Sequence, residues 1–479
     1  MFDNKDLKNL IVPLFLEQLL TILVGLADTF VVSFVGEAAV SGVSLVNSFN
    51  TIFIFLFTAL ASGGAVIVSQ YIGSVKRISK SAENADQEIL KLHTEKCQAN
   101  MVRFEPAFFA NSSGQAKAGE AASQLLMIST VFSAGIVLLL LLFGRTILGW
   151  IFGRVEEDVM EACVTYLRIS AYSYPALAVY NAGAALYRSI GKTSTTMYIA
   201  VVSNVINVAG NLIGVFVLHA GVAGVAWPSL IARTFSAVAV TVFCFRKGNG
   251  VYYTKQWILR WNAELLKRIL RIALPNGVEQ GIFQFVKVAL SSIVALFGTY
   301  QIAANGIAQS IWSLAALVCV TMGPVFITVI GQCMGAGEDS QAEYYFHRLL
   351  KITLLMSVVW NTAVFALTPA IMPFFDVAPE TRQLTVWLVL IHNVFNCVAF
   401  PFADPLGKGL RAAGDVKYTM VWSIITTIGV RLLFSVLFAI VLKMGVIGIA
   451  IAMCMDWCIR AVVFYIRFWG GKWKQYQLI

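Results

Sequence analysis

Long apolar runs alternate with short polar stretches along this chain. Reading from the N-terminus, runs fall near 10–34, 44–72, 121–144, 159–187, 195–218, 222–245, 270–297, 305–333, 350–373, 384–407, 418–441 and 446–466. Each is about the 20 residues that a helix needs to cross a hydrocarbon core about 30 Å thick. None shows the two-residue alternation of a barrel strand. The pattern predicts an all-α, polytopic membrane protein with twelve transmembrane helices.

Basic residues fix an orientation for those helices. With the N-terminus inside, 26 Lys and Arg fall in inside segments and four (Arg145, Arg154, Arg382 and Lys443) in outside loops. Five more, Arg168, Arg233, Lys287, Arg431 and Arg460, lie within spans. That asymmetry predicts a multi-pass protein of the cell membrane with both termini cytoplasmic.

The second half repeats the first. An offset of 262 residues maps Pro13 onto Pro275, Glu17 onto Glu279, Gln18 onto Gln280, Gly36 onto Gly298, Gln70 onto Gln332 and Gly73 onto Gly335. Further on the offset falls to 223, where Arg188 and Gly191 match Arg411 and Gly414. It is 224 where GVAGVA at 221–226 matches GVIGIA at 445–450. An even number of spans per repeat relates the two units by an axis along the membrane normal. The expected organisation is an N-terminal six-helix bundle over 1–245, a cytoplasmic linker over 246–269 and a C-terminal six-helix bundle over 270–479. The drop in offset marks an insertion of about 38 residues within 74–116, the most polar part of the chain. It is expected on the cytoplasmic side as a loop, with a charged helix over 81–98.

Composition agrees. Apolar residues make up 58% of the chain and charged residues 13%, about half the charge of an average soluble domain. The formal charge of +10 is spread over loops and forms no patch that would suit nucleic acid. Eight cysteines lie mostly in apolar runs, with no CxxC pair, so neither a disulfide framework nor a zinc site is indicated. The four histidines are scattered, and no metal or catalytic spacing links them.

Ionisable groups inside spans cost about 2.5–3.5 kcal/mol each on insertion scales, so each needs a reason. Glu17 and Asp28 lie eleven residues apart in the first span, about 16 Å along one helix face, and mark two depths of one pathway. Asp28 is the first candidate for an ion site. Asn204, Asn207 and Asn211 share one face of the fifth span and suit interhelical hydrogen bonding or a cation-friendly lining. In the seventh span Glu279 is followed two turns later by Lys287, and a Glu279–Lys287 pairing is expected. Leu290 stands where Asp28 would repeat, which favours the first half as the cation site. Asp404 and Asp456 add carboxylates, the latter placed to pair with Arg460. Pro13 and Pro275 are expected to bend the helices that carry them.

The segments IVPLFLEQLLTILVGLADTFVVSFVGEAAVSGVSLVN, GGAVIVSQYIG and LYRSIGKTS, with LPNGVEQGIFQFVKVALSSIVALFGTYQIAANGIAQSI, GQCMGAG and LRAAGD, resemble the multidrug and toxic compound extrusion (MATE) family. The resemblance covers essentially all of the chain outside 74–116. It implies two bundles around a V-shaped cleft, alternating access, and efflux of amphipathic, cationic small molecules in exchange for H+ or Na+. It implies no cofactor, and a chain that acts as a monomer in the lipid bilayer. The family's first-helix acid matches Asp28 and its helix-1 proline Pro13. Its helix-5 asparagine matches Asn207, and its helix-5 acid is Asn211 here. Its helix-6 hydroxyl matches Ser229, and Glu279 stands as a helix-7 glutamate. Asp404 does not align with the helix-10 acid of some relatives. A flippase of lipid-linked cargo is the alternative within the same superfamily, set against by cavity candidates that are mostly acids and amides. A membrane-embedded enzyme would need a clustered nucleophile or metal site, and none appears.

Overall fold

The computed structural model describes residues 2–94, 106–152, 156–374, 377–476 and 478–479, and among these it is helical throughout, without strands. The first unit comprises α1 (Asn4–Ser33), α2 (Glu37–Thr94), α3 (Pro106–Phe152), α4 (Glu157–Tyr172), α5 (Tyr174–Ser189), α6 (Thr193–Leu212) and α7 (Ala223–Cys244). A short α8 (Lys255–Leu259) leads to the second unit. There follow α9 (Ala263–Val294), α10 (Thr299–Ala315), α11 (Leu317–Gly335), α12 (Asp339–Ile371), α13 (Pro379–Val398), α14 (Phe400–Ala403), α15 (Pro405–Ala412), α16 (Val416–Ile425), α17 (Leu433–Val436) and α18 (Val446–Trp469).

Among the described residues nine helices are long and apolar enough to cross a membrane, and a tenth crossing is made by α13 with Phe400–Ala412, bent by 57°. The two remaining expected spans fail that test for physical reasons. α9 carries Asn276, Glu279, Gln280, Gln284 and Lys287 along its length, which dilutes its hydropathy. The fourth is broken at Ser173 into α4 and α5.

α1 starts at a capping box, in which Asp6 N donates to Asp3 Oδ1 at 2.6 Å and Asp3 N to Asp6 Oδ2 at 3.0 Å. It therefore begins well before the expected span. Pro13 and Pro275 both lie inside continuous helices. Breaks between consecutive helices lie at Ser173, Ala316 and Ala399. The insertion is not a loop on its described part. It continues α2 to Thr94, and α3 begins at Pro106; 95–98 of the expected charged helix lie outside the described residues.

The repeat is visible in local geometry. Gly221 and Gly445 both have φ +58°, where a side chain would be strained. The π-helical segments Ile213–Val217 and Leu437–Val441 also match at an offset of 224. Where the two units meet, Gln70 Nε2 donates to the Ala412 carbonyl at 2.8 Å, and its repeat mate Gln332 donates to the Ser189 carbonyl at 2.7 Å. A Cβ on Gly73 would collide with the Gln332 carbonyl, and one on Gly335 with the Gln70 carbonyl. Two backbones thus cross at contact distance, related by the repeat.

The apolar cores show where the units join. One cluster takes residues from both units and from both chain ends, including Phe2, Leu10, Ile67, Phe326, Phe346 and Trp473. Away from that end the core divides. One cluster lies wholly within residues 31–226 and another within 286–450. The molecule is therefore closed at the end that holds the termini and divided at the other.

The linker is docked against α3, and α9 begins at Ala263 within its C-terminal part. Ser123 Oγ accepts from Thr254 N at 3.0 Å, Gln124 Nε2 donates to the Arg260 carbonyl at 2.6 Å, and Glu120 accepts from Asn262 Nδ2 at 2.6 Å. Lys76 reaches the second unit, donating to Gln332 Oε1 at 2.9 Å, and covers the Phe2 ring. A deletion confined to 78–113 is accordingly expected to leave expression and thermal unfolding within a few degrees of wild type, because the second unit folds without an equivalent. One extended through Lys76 is expected to lower both, and size-exclusion profiles with melting curves check the difference.

Candidate functional site

Four residues from three helices form one hydrogen-bonded chain in the first unit. Asp28 of α1 accepts from Asn211 Nδ2 of α6 at 2.6 Å. The same Nδ2 lies 3.2 Å from Asn207 Oδ1, and Asn207 Nδ2 donates to Ser229 Oγ of α7 at 2.9 Å. Ser229 Oγ in turn donates to the Val225 carbonyl, one turn back in α7. Spacing explains the arrangement: Asn207 and Asn211 are one turn apart on α6, and Pro228 sits inside α7 next to Ser229. Both asparagines are buried. Asn211 Oδ1 is buried with no hydrogen-bond partner in the protein, although buried polar atoms are normally paired. Arg233 of α7 lies within electrostatic reach of Asp28 while donating to Ser173 Oγ at 2.7 Å. Asp28 belongs to the divided part of the molecule, three residues before Val31 of the first unit's own core. Asn204 is not part of the chain; its Nδ2 is buried without a partner.

Glu17 is buried in a different network. Arg188 Nη2 lies 2.6 Å from Glu17 Oε1, Thr196 Oγ1 donates to Glu17 Oε2 at 2.9 Å, and Tyr180 Oη donates to Oε1 at 3.3 Å. Glu279 repeats it. Its Oε2 lies 2.7 Å from Arg411 Nη2, and Arg411 also donates to Asn276 Oδ1 and Thr419 Oγ1. This corrects the expected Glu279–Lys287 pairing. A guanidinium delivered by the short α15 reaches Glu279 through Nη2 while Nη1 and Nε are held by Asn276 and Thr419, whereas Lys287 remains exposed two turns along α9. Both ion pairs sit where the shared core gives way to the separate ones: on α1, Leu14 belongs to the shared cluster and Val31 to the divided one, and on α9, Ala273 and Val286 do the same.

Asp404 pairs with Lys408 at 2.8 Å, one turn apart at the bent crossing, and does not join the Asp28 chain. Asp456 pairs with Arg460 at 2.9 Å, as the spacing implied, and also faces Arg431 at 3.9 Å. The partners Arg188 and Arg411 carry no role in the sequence reading. The signal was present, since the two glutamates are repeat mates and so are the two arginines. Among the described residues no group of three or more His, Cys, Asp and Glu is placed to hold a metal ion.

Twelve membrane-crossing segments in two repeated bundles, closed at one end around buried ion pairs and holding a polar chain in the divided part, define a secondary-transporter architecture. The MatE family model matches residues 13–85, 108–213 and 275–437. The chain belongs to this family of multi-pass membrane transporters. Over 97% of its length it is 24% identical to the uncharacterized transporter YisQ of Bacillus subtilis, spanning 93% of that protein. It is 20% identical over 98% of its length to the probable multidrug resistance protein NorM of Thermotoga maritima, spanning 93% of that protein. Its fold matches a crystal structure of MATE in the straight conformation with a TM-score of 0.83 at 19% identity, covering 98% of this chain and 96% of the other. It matches equally an outward-facing multidrug resistance MATE family transporter, with a TM-score of 0.83 at 18% identity and the same coverage.

Proposed function

We propose that this protein is a monomeric antiporter that exports amphipathic, cationic small molecules in exchange for an inward-moving H+ or Na+ bound at Asp28. The observation that carries the reading is the chain Asp28–Asn211–Asn207–Ser229, with the buried and unpartnered Asn211 Oδ1 beside the carboxylate. A carboxylate flanked by neutral oxygens suits a hard monovalent cation or a proton. Taking up the cation neutralises Asp28 and lowers the cost of burying it, so the helices that carry the chain can repack and the divided end can close. Membrane potential adds to this bias: one charge crossing is worth about 2.3 kcal/mol per 100 mV, about fiftyfold in an equilibrium constant.

Glu17–Arg188 and Glu279–Arg411 hold each bundle at the level where the two units separate, and the linker joins the bundles while they rock. Orientation follows from the basic residues, with both termini, the linker and the insertion on the cytoplasmic side. The closed end is then cytoplasmic and the divided end faces out. The relatives named for multidrug resistance, with the human multidrug and toxin extrusion protein 1 at 23% identity over 67% of this chain, support a drug-like cargo.

Reconstitution into liposomes tests the reading. Efflux of cationic dyes is expected to rise at least tenfold under an imposed proton or sodium gradient, and the gradient that works names the ion. Export that ignores both gradients, or that moves only lipid-linked cargo, would favour the flippase alternative.

A further inference from the structure

The second unit holds more buried positive charge than its acids can balance. Glu279 is taken by Arg411, Asp404 by Lys408 and Asp456 by Arg460. Arg431 is left over among the buried cations, and Lys287 is a further cation at the surface with no acid partner among the described residues. Arg431 lies on the π-helical segment Thr426–Leu432, a geometry that recurs at functional sites. Its side chain is only 8% exposed, and the nearest carboxylate, 3.9 Å away, is already engaged by Arg460. Its Nη2 rests on the Met453 sulfur, its guanidinium carbon lies 4.8 Å from the Phe283 ring centroid, and its Nε has no partner. A sulfur and a phenyl face are weak company for a desolvated full charge.

His392 adds a second orphan. It is 1% exposed, neither ring nitrogen has a hydrogen-bond partner, and it lies within electrostatic reach of Arg431. One ring nitrogen of a neutral imidazole must carry a proton, so a buried N–H donor stands unused beside an unbalanced guanidinium. Lys287, one turn of α9 beyond Phe283, is exposed and also within electrostatic reach of Arg431. A second cation on α9 and an unused donor on α13 thus lie within electrostatic reach of Arg431, and among the described residues no acid pairs with either.

We propose that Arg431, His392 and Lys287 form a binding site for a monoanion, either chloride or a carboxylate carried by the transported molecule. Arg431 supplies the charge at the bottom of the site, His392 a fixed donor beside it, and Lys287 the exposed entrance. The site is separate from the Asp28 chain and lies in the other unit. If the occupant is a carboxylate, the cargo extends to zwitterions.

Isothermal titration of the purified full-length protein in sodium-free buffer with potassium chloride and with potassium benzoate tests the site without requiring transport. Saturable binding of one anion per chain is expected for at least one of the two salts. Chloride alone identifies a free ion, and benzoate a carboxylate-bearing cargo. Arg431→Gln is expected to weaken binding at least about thirtyfold, the usual consequence of truncating one member of a buried charge pair. Lys287→Gln at the entrance is expected to weaken it about threefold to tenfold, and Asp28→Asn to leave it unchanged. Should Arg431→Gln fail to fold, Lys287→Gln and His392→Leu carry the same comparison. No saturable binding of either anion to the wild type, or equal affinity in the wild type and these site variants, overturns the proposal.

Discussion

Asp28→Asn is expected to abolish gradient-driven efflux, at least a tenfold loss, while the protein still inserts, folds and binds substrate. The side chains are isosteric, and the amide oxygen of an asparagine can still accept the 2.6 Å bond that Asn211 Nδ2 now gives to Asp28. The native contacts are therefore kept and only the charge is lost. What disappears is the differential affinity of one conformation for a cation, and a ligand shifts a conformational equilibrium only through such a difference. Dye efflux from liposomes under an imposed gradient, set beside substrate binding to the purified protein, separates the two effects. Full coupled efflux by this variant would move the coupling site to Glu17, Glu279 or Asp404. Loss of binding together with efflux would make Asp28 part of the cargo site. Asn211→Leu removes the unpartnered oxygen as well as the donor, and is expected to impair coupling in the same direction.

The largest effect on stability is expected from Glu279→Gln. Glu279 and Arg411 have side chains 9% and 10% exposed, so removing one charge strands the other away from water. Breaking such a pair costs about 3–5 kcal/mol. Asp404 and Lys408, at 28% and 26% exposure, are partly solvated, and Asp404→Asn is expected to cost about 0–1 kcal/mol. Expression level and thermal unfolding in detergent give the ranking. The double variant Glu279→Gln, Arg411→Gln is expected to recover part of the loss, because no unpaired charge remains. The reverse order between Glu279→Gln and Asp404→Asn, or no recovery in the double variant, would refute the account. Glu17→Gln follows the same logic with a smaller loss, since Arg188 is 23% exposed and can be partly hydrated when left alone.

Most members of the candidate chain are legible in the sequence. Asp28, Asn207 and Asn211 are each polar in an apolar span, α6 periodicity places the two asparagines on one face, and Ser229 is marked only by the family resemblance. Their joining was not written there, because it depends on how α1, α6 and α7 are rotated about their axes. The Glu279 partner was misjudged for the same reason. Spacing along α9 points to Lys287, but the counter-charge comes from α15, well over a hundred residues later. The repeat held that answer, since Glu17 with Arg188 and Glu279 with Arg411 are matched pairs.

The sequence by itself determined the membrane class, the number of spans and the twofold repeat. These follow from one-dimensional quantities: the length of an apolar run must match the bilayer, and backbone groups in lipid must pair within a helix. Tertiary structure decided the rest. It set which end is closed, because a shared core at the terminus-bearing end and separate cores beyond it depend on crossing angles that no periodicity encodes. It set which buried acids are paired with arginines from distant helices and which is flanked by amides instead. It also exposed the surplus charge at Arg431, since a charge is unbalanced only with respect to everything folded around it.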